Sequence, residues 1–248
     1  MILMGRKIVG LFAASLIACQ ADVANDARAA DPGATDTAPT AADVGVRDAA
    51  TADTRNDRAA VLFLGTSLTA GYGVGANAAY PALIQQRIDS VGLSYRVVNA
   101  GLSGETSAGG LERLEWSLQD SIAVLVLELG ANDGLRGLPV EQLRSNLDEI
   151  LRRTRERYPD VRIVIAGMEA PPNLGPRYTR EFRDVFPTLA RRYDAELIPF
   201  LLEDVATHAE LNQEDGIHPN EDGHALIAAR VWQALEPVLD GERQEIMS

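Results

Sequence analysis

The chain has 248 residues, 46% of them hydrophobic, which is enough to bury a sizeable core in one domain with an appended segment. Its formal net charge is -13, its sequence pI is about 4.7, and Lys7 is the only lysine. This balance argues against nucleic acid as a partner and gives strongly anionic substrates a net repulsion. Cys19 is the only cysteine, so an intramolecular disulfide is excluded.

The N-terminus has the pattern of a signal peptide. Two basic residues precede an apolar run at 8–18, which is too short to span a bilayer as a helix. The tetrapeptide LIAC, which ends at Cys19, resembles a bacterial lipobox, in which the cysteine is lipidated after cleavage before it. We therefore predict a lipoprotein signal peptide at 1–18 and membrane attachment through acyl chains on Cys19. The alternative is an ordinary secretory signal that is cut after Ala29 and discards Cys19.

The next segment, residues 19–58, is rich in Ala, Asp, Thr and Pro. Beyond Cys19 it has no aromatic residue, and three valines are its only large apolar groups. Such a composition cannot bury enough surface to offset the entropy of ordering, so it predicts a flexible tether. Gln20 resembles the residue that sorts lipoproteins to the outer membrane, so we expect an envelope protein, anchored on the periplasmic face of that membrane.

From Ala59 onward, short apolar runs alternate with helical patterns. Several of these runs are apolar throughout, as parallel strands covered on both faces tend to be. The predicted strands are 59–65, 95–101, 122–130, 161–167 and 195–200.

Helical signatures lie between these strands. Pro81 suits a first helical turn, and a last helix is predicted from about Asp222 to Leu239. A further apolar stripe comprises Leu143, Leu147, Ile150 and Leu151. The alternation predicts a three-layer α/β domain at 59–240 with about five mostly parallel strands, followed by a tail at 241–248. Such folds place their sites at the carboxyl ends of the strands.

Polar residues collect in the loops that follow the predicted strands. The loops read GTSLTAGYG, NAGLSGET, LGANDGLRG and DGIHPNEDGH, and they carry Ser67, Gly104, Asn132, Asp215 and His218. Taken singly, none of these motifs is specific, because serine in a glycine-rich loop, Asn-Asp-Gly and Asp-Gly are also ordinary turn sequences. In this architecture the loops meet at one edge of the sheet, so the five residues could form one site.

Together and in this order, the four loops resemble the SGNH, or GDSL-like, hydrolase family. The resemblance covers about residues 59–240 and is closest to bacterial arylesterases, acyl thioesterases and lysophospholipases. It implies a flavodoxin-like α/β/α sandwich that needs no cofactor. It also implies an oxyanion hole formed by the N–H groups of Ser67 and Gly104 and the side-chain amide of Asn132. One departure is Thr66, which stands where the family has an aspartate beside the nucleophile.

The chemistry of ester hydrolysis suits the same residues. Ser67 would be the nucleophile, and His218 would be the general base, because the unperturbed pKa of imidazole lies nearest neutral pH. Asp215, three residues upstream, can accept the other ring N–H and fix the tautomer. The expected substrate is a small-molecule or lipid ester. An O-acetyl-sugar esterase shares this mechanism and remains an alternative.

The loop after the fourth predicted strand is rich in proline and glycine. In the family subgroup the corresponding loop helps to cover an acyl-binding groove, so we expect it to border the substrate through Pro171, Pro172, Asn173, Leu174, Gly175 and Pro176. A different class remains open, in which Gly71–Gly75 cradles a phosphate or nucleotide in a non-catalytic lipoprotein. Against it, the chain has no Walker lysine and no G-x-G-x-x-G that opens a helix.

Four other polar residues have less specific readings. We expect His224 to lie on a helix surface or in packing, and His208 to be structural or exposed. A metal site built from His218, Asp222 and His224 matches no standard ligand spacing, so we predict none. Glu128 interrupts an apolar run, where it would either hydrogen-bond the loop that bears Asn132 or emerge at the end of its strand.

Overall fold

The computed structural model describes residues 58–119 and 121–246, with side chains up to residue 240. The predicted signal peptide, Cys19 and nearly all of the predicted tether lie outside the described residues. None of the helices within them combines the length and the apolar character needed to cross a membrane.

Strands and helices alternate along the described chain, as predicted. The strands are β1 (Ala59–Gly65), β2 (Tyr95–Gly101), β3 (Ile122–Glu128), β4 (Arg162–Ala166) and β5 (Glu196–Ile198). The helices are α1 (Ser67–Ala70), α2 (Tyr80–Ser90), α3 (Ser107–Glu112), α4 (Leu114–Ser117), α5 (Ala131–Leu135), α6 (Val140–Arg157), α7 (Pro176–Arg183), α8 (Val185–Arg192) and α9 (Glu221–Ile246). Two short 3-10 helices cover Pro172–Leu174 and Ala209–Leu211.

The five strands form one parallel sheet in the order β2-β1-β3-β4-β5. The predicted α/β class and parallel sheet are confirmed. The order reverses between β1 and β3, since the chain moves outward from β1 to β2 and then crosses to β3. In sheets of this kind the crevice at the carboxyl ends beside the reversal is where ligands bind.

Helices pack as two separate groups, which gives the sandwich its outer layers. Helix α2 packs on β2 and on α9, while α6 packs on α3 and α8. The predicted stripe on α6 is its buried face: Leu143, Leu147, Ile150 and Leu151 are at most 1% exposed. Strands β1 and β3 are buried along almost their whole length, as expected for central strands covered on both sides.

Three element ends differ from the predicted ones by two residues or more, each for a local reason. β3 ends at Glu128 rather than at 130, because Gly130 takes a φ of +117° and turns the chain into α5. β5 stops at Ile198, before Pro199, which has no N–H to donate to a neighbouring strand. Helix α9 continues to Ile246 beyond the end of its apolar stripe, since the residues that follow are mostly good helix formers.

Candidate active site

A cleft of about 800 Å³ opens at the carboxyl edge of the sheet. Ser67, Asn132 and His218 line it, and each comes from a different loop. The wall is largely apolar and includes Leu68, Tyr72, Leu135, Met168, Phe200, Leu202 and Ile217.

Ser67 occupies a tight turn between β1 and α1. It is the first residue of α1, and Thr66 caps the helix by accepting a hydrogen bond from the Leu68 N–H at 3.4 Å. A side chain at Gly65 would place its Cβ 2.1 Å from the Thr69 hydroxyl, so only glycine fits there. Ser67 itself is 9% exposed. The turn therefore places Ser67 on the wall of the cleft with little of the residue exposed to solvent.

The imidazole of His218 lies between a hydroxyl and a carboxylate. His218 Nε2 is 2.9 Å from Ser67 Oγ, and Nδ1 is 2.7 Å from Asp215 Oδ2. The other carboxylate oxygen accepts from the N–H groups of Ile217 and His218 at 2.9 and 3.0 Å. The structure thus brings together three predicted residues that are up to 151 positions apart.

These hydrogen bonds determine which of the groups in the Ser67–His218–Asp215 triad carry protons. The backbone N–H of His218, followed by its imidazole and the N–H of Ile217, lowers the pKa of Asp215 to about 2. An ionised carboxylate can only accept, so His218 Nδ1 must carry a proton. In the neutral ring Nε2 is then free to accept the hydroxyl proton of Ser67.

The aromatic ring of Tyr72 contacts the same imidazole, a contact that was not predicted from the sequence. Its centroid lies 4.6 Å from that of His218, with the planes tilted by 43°. Gln213 fixes this contact by donating to the Tyr72 carbonyl at 2.7 Å and to the Pro219 carbonyl at 2.9 Å. No local pattern signals a bridge between residues 141 positions apart.

The predicted oxyanion donors Gly104 and Asn132 line the same cleft as Ser67. Gly104 has a φ of +79°, a left-handed conformation that favours glycine. Asn132 Nδ2 donates one hydrogen to the Glu105 carbonyl at 2.9 Å. The second amide hydrogen is then available to a ligand.

Two buried carboxylates that were not predicted from the sequence hold the segments that bear Gly104 and Asn132 in place. Asp133 accepts from the N–H and hydroxyl of Ser107 at 2.8 and 2.6 Å, which ties α5 to the first residue of α3. Glu105 pairs with Arg113, whose guanidinium also donates to the Ala100 carbonyl at 2.7 Å. The loop that bears Gly104 is therefore fixed at both ends.

Glu128 differs from both predicted readings. It is completely buried rather than emerging at the strand end, and it binds the loop of Ser67 rather than the loop of Asn132. Its oxygens accept from the Thr66 N–H at 2.8 Å and from the Thr69 hydroxyl at 2.8 Å. The reason is the register of the sheet, which pairs Gly65, the residue before this turn, with Glu128. Burial raises the pKa of Glu128 to about 7.

The other two histidines lie outside the Ser67–His218–Asp215 series. His224 is 1% exposed, stacks on the Tyr80 ring and accepts the Tyr80 N–H at 3.3 Å, which confirms a packing role. Burial lowers the pKa of His224 to about 4, so it is neutral at pH 7. His208 is exposed beside Glu210, as expected. Within the described part of the chain, no three His, Cys, Asp or Glu residues are grouped to hold a metal ion.

The proline-rich loop borders the cleft only in part. Pro171 and Pro172 line it, but Asn173, Leu174, Gly175 and Pro176 do not. The chain turns away in the short 3-10 helix, Leu174 packs against the hydrophobic core, and Pro176 begins α7. Of the six residues predicted to border the substrate, the structure places two on the wall of this cleft.

The glycines at 71–75 are not arranged to bind phosphate. The N–H groups of Gly71, Tyr72 and Val74 donate to carbonyls of Leu68, Ser67 and Gly71. The loop also follows the C-terminal end of α1, whereas phosphate favours the N-terminal end of a helix. This geometry speaks against the phosphate-binding alternative.

Fold and site together define the class of protein: an ester hydrolase with a parallel α/β sheet, a nucleophile turn after β1 and an apolar cleft above it.

Comparison with known proteins identifies the family. Residues 63–226 match the GDSL-like lipase/acylhydrolase family. The chain is 39% identical to esterase TesA of Pseudomonas aeruginosa over 72% of its length and 89% of that protein. It is 38% identical to thioesterase 1/protease 1/lysophospholipase L1 of Escherichia coli, over 77% and 88%. The crystal structure of the psychrotrophic esterase EstA from Pseudoalteromonas sp. has a TM-score of 0.69 at 33% identity, and the match covers 73% and 98%. The chain belongs to the GDSL-like lipase/acylhydrolase family.

Proposed function

We propose that this protein is a serine esterase that hydrolyses acyl or aryl esters through an acyl-enzyme intermediate on Ser67. The observation that carries the proposal is the hydrogen-bonded series from Ser67 Oγ to His218 Nε2 at 2.9 Å and from His218 Nδ1 to Asp215 at 2.7 Å. Hydroxyl, base and orienting carboxylate stand in the order that nucleophilic acyl transfer requires.

In the first half of the reaction, Ser67 Oγ attacks the ester carbonyl carbon while His218 Nε2 takes its proton. The resulting imidazolium is stabilised by ionised Asp215. When the tetrahedral intermediate collapses, the bond to the leaving alcohol breaks and His218 returns the proton to that oxygen. In the second half, water replaces the alcohol and the same steps release the acid and restore Ser67.

The negative charge on the intermediate needs donors that are already in place. The N–H groups of Ser67 and Gly104 and the second amide hydrogen of Asn132 are our proposed donors. All three residues line the cleft around the Ser67 hydroxyl. Asn132 is oriented by its bond to Glu105, so little reorganisation is needed during the reaction.

The apolar lining of the cleft suits a substrate with an apolar acyl or aryl group. Tyr72, Leu135 and Ile217 line it although each is at least 50% exposed, so a bound acyl chain would remove apolar surface from water. This lining favours a hydrophobic ester over an acetylated sugar. The relatives named esterase and thioesterase/lysophospholipase agree with that choice, and cleavage of thioesters is included because the same machinery serves both bonds.

We also propose that Cys19 is lipidated and holds the enzyme in the bacterial cell envelope, at the outer membrane. The support is the sequence: the short apolar run, the lipobox-like LIAC and the tether-like composition that follows. Replacing Cys19 with serine should move the protein out of the membrane fraction. An unchanged distribution would contradict the proposal.

The esterase proposal is tested with p-nitrophenyl esters of graded chain length and three proteins: wild type, Ser67→Ala and His218→Ala. We expect turnover by wild type and a loss of at least about 10³-fold in kcat for each variant, with an unchanged circular dichroism spectrum. Similar rates for all three folded proteins would contradict the proposed roles of Ser67 and His218.

A further inference from the structure

Glu128 is a buried carboxyl group that the proposed mechanism does not use. It is the last residue of β3 and is 0% exposed. Removing a carboxylate from water costs several kcal/mol unless hydrogen bonds compensate. Its hydrogen-bond donors are neutral groups of Thr66 and Thr69. The hydrogen bonds from Thr66 and Thr69 therefore compensate for the burial of the Glu128 carboxylate.

The two donor residues flank Ser67. Thr66 precedes it and gives Glu128 both its N–H, at 2.8 Å, and its hydroxyl, at 3.0 Å. Thr69 follows by two positions and gives its hydroxyl at 2.8 Å. One carboxylate thus joins both sides of the turn to the end of the neighbouring central strand.

A second layer fixes the direction of these bonds. When Glu128 is ionised its oxygens only accept, so the single hydrogen of the Thr69 hydroxyl goes to Glu128 and the Tyr80 hydroxyl donates to Thr69 Oγ1 across their 2.7 Å contact. Tyr80 is fully buried and is held by His224, which accepts its N–H and stacks on its ring. The network runs from His224 in α9 through Tyr80 in α2 to the turn of Ser67.

We propose that Glu128 is a positioning residue for the nucleophile: by accepting hydrogen bonds from both sides of Ser67, it holds the serine N–H and hydroxyl in the orientation needed for attack. The proposal rests on the serine esterase function given above. It assigns to Glu128 no contact with substrate.

Replacing Glu128 with glutamine keeps the size of the side chain but removes one of its two acceptor oxygens. Glu128 Oε2 receives the Thr66 N–H and the Thr69 hydroxyl, both at 2.8 Å, and the Thr66 hydroxyl lies 3.0 Å from Oε1 and 3.1 Å from Oε2. A glutamine of nearly the same size has one oxygen and one NH₂ group, so a donor of the turn would face another donor. The turn must then shift, and small displacements of a reacting group are costly to rate.

The test compares kcat and KM of the full-length protein and its variants on one p-nitrophenyl ester. We expect Glu128→Gln to lower kcat by roughly 10- to 100-fold with KM within about twofold of wild type. Thr69→Val should lower kcat in the same way, and Thr69→Ser should restore it because the hydroxyl returns. If Glu128→Gln does not fold, the Thr69 pair still decides the proposal.

A matched control measures the cost of losing a buried hydroxyl elsewhere. Thr154 in α6 is 0% exposed and donates to the Ile150 carbonyl at 2.8 Å, so Thr154→Val should lower stability and leave kcat unchanged. Wild-type kcat in both Glu128→Gln and Thr69→Val, with lowered stability alone, would overturn the positioning role. Wild-type activity in Ser67→Ala would instead overturn the esterase mechanism.

Discussion

The two sides of the candidate active site are built in opposite ways. Ser67 lies in a turn held by Glu128, which is 62 positions from Thr66 and completely buried. His218 lies in a turn held by Asp215, three positions away, and the Asp215 side chain is 40% exposed. The nucleophile side therefore depends on the packed sheet, whereas the base side is largely a self-contained turn.

Replacing Asp215 tests whether the turn that bears His218 forms independently of the packed sheet. This substitution should have the largest effect on activity. In Asp215→Asn an amide faces His218 Nδ1 and favours the wrong tautomer, so kcat should fall by about 10²- to 10⁴-fold. Because the bonds of Asp215 lie within its own turn and an asparagine oxygen can still accept from the N–H groups of Ile217 and His218, the denaturant midpoint at pH 7 should fall only slightly, by the contribution of the lost charge. A large loss of stability would show that this turn, too, depends on the rest of the fold.

The pH dependence of stability should separate the two carboxyl groups. The pKa of Glu128 is raised to about 7 by burial, so its contribution is complete below about pH 4.5 and is lost as pH rises to about 7. The upper bound on this change is roughly 3 kcal/mol. Asp215, with a pKa lowered to about 2, contributes stability above about pH 4 that is lost as pH falls.

The measurement is urea denaturation of wild type and Glu128→Gln between pH 4 and 8. His224 has a pKa lowered to about 4, so its contribution is lost as pH falls from about 6.5 to 4, opposite in sign to that of Glu128. Because both proteins contain His224, its contribution cancels when their free energies of unfolding are subtracted at each pH. We expect Glu128→Gln to gain stability relative to wild type as pH rises from 4.5 to 7. A constant difference would mean that folding leaves the pKa of Glu128 at its ordinary value, which would contradict the raised pKa.

The smallest expected effect is at the contact between the two sides. Tyr72 follows α1 on the nucleophile side and lies against the His218 ring. Tyr72→Ala should lower kcat/KM by roughly 2- to 10-fold, the usual worth of one ring contact. Trp116, 69% exposed and outside the residues that line the cleft, provides the control in Trp116→Ala. Equal effects of the two substitutions would show that the Tyr72 contact has no special role.

The same contrast explains what could be predicted from the sequence. Short-range patterns predicted the Asp215–His218 pair and the buried stripe of α6 correctly, because spacing along a turn or a helix determines both. The partners of Glu128 were missed, since the register of β1 with β3 sets them. The bridge from Gln213 to Tyr72 likewise joins loops distant in sequence, which periodicity cannot relate.

The proline-rich loop shows a third case. Its composition predicted a non-helical start after the fourth strand, and Pro171 and Pro172 do line the cleft. Pro176, however, serves as the first residue of α7, a position that proline favours. Proline is compatible with both roles, so composition alone did not fix the point where the loop leaves the cleft.

The most direct test of the mechanism is covalent labelling of the nucleophile. Full-length protein is incubated with an alkylphosphonate ester and analysed by intact mass and peptide mass spectrometry, beside Ser67→Ala. We predict one adduct per chain, located on the peptide that contains Ser67 and absent from the variant, with activity lost in proportion to labelling. Complete labelling at another residue, or full activity of a protein labelled at Ser67, would contradict the assignment of Ser67 as the nucleophile.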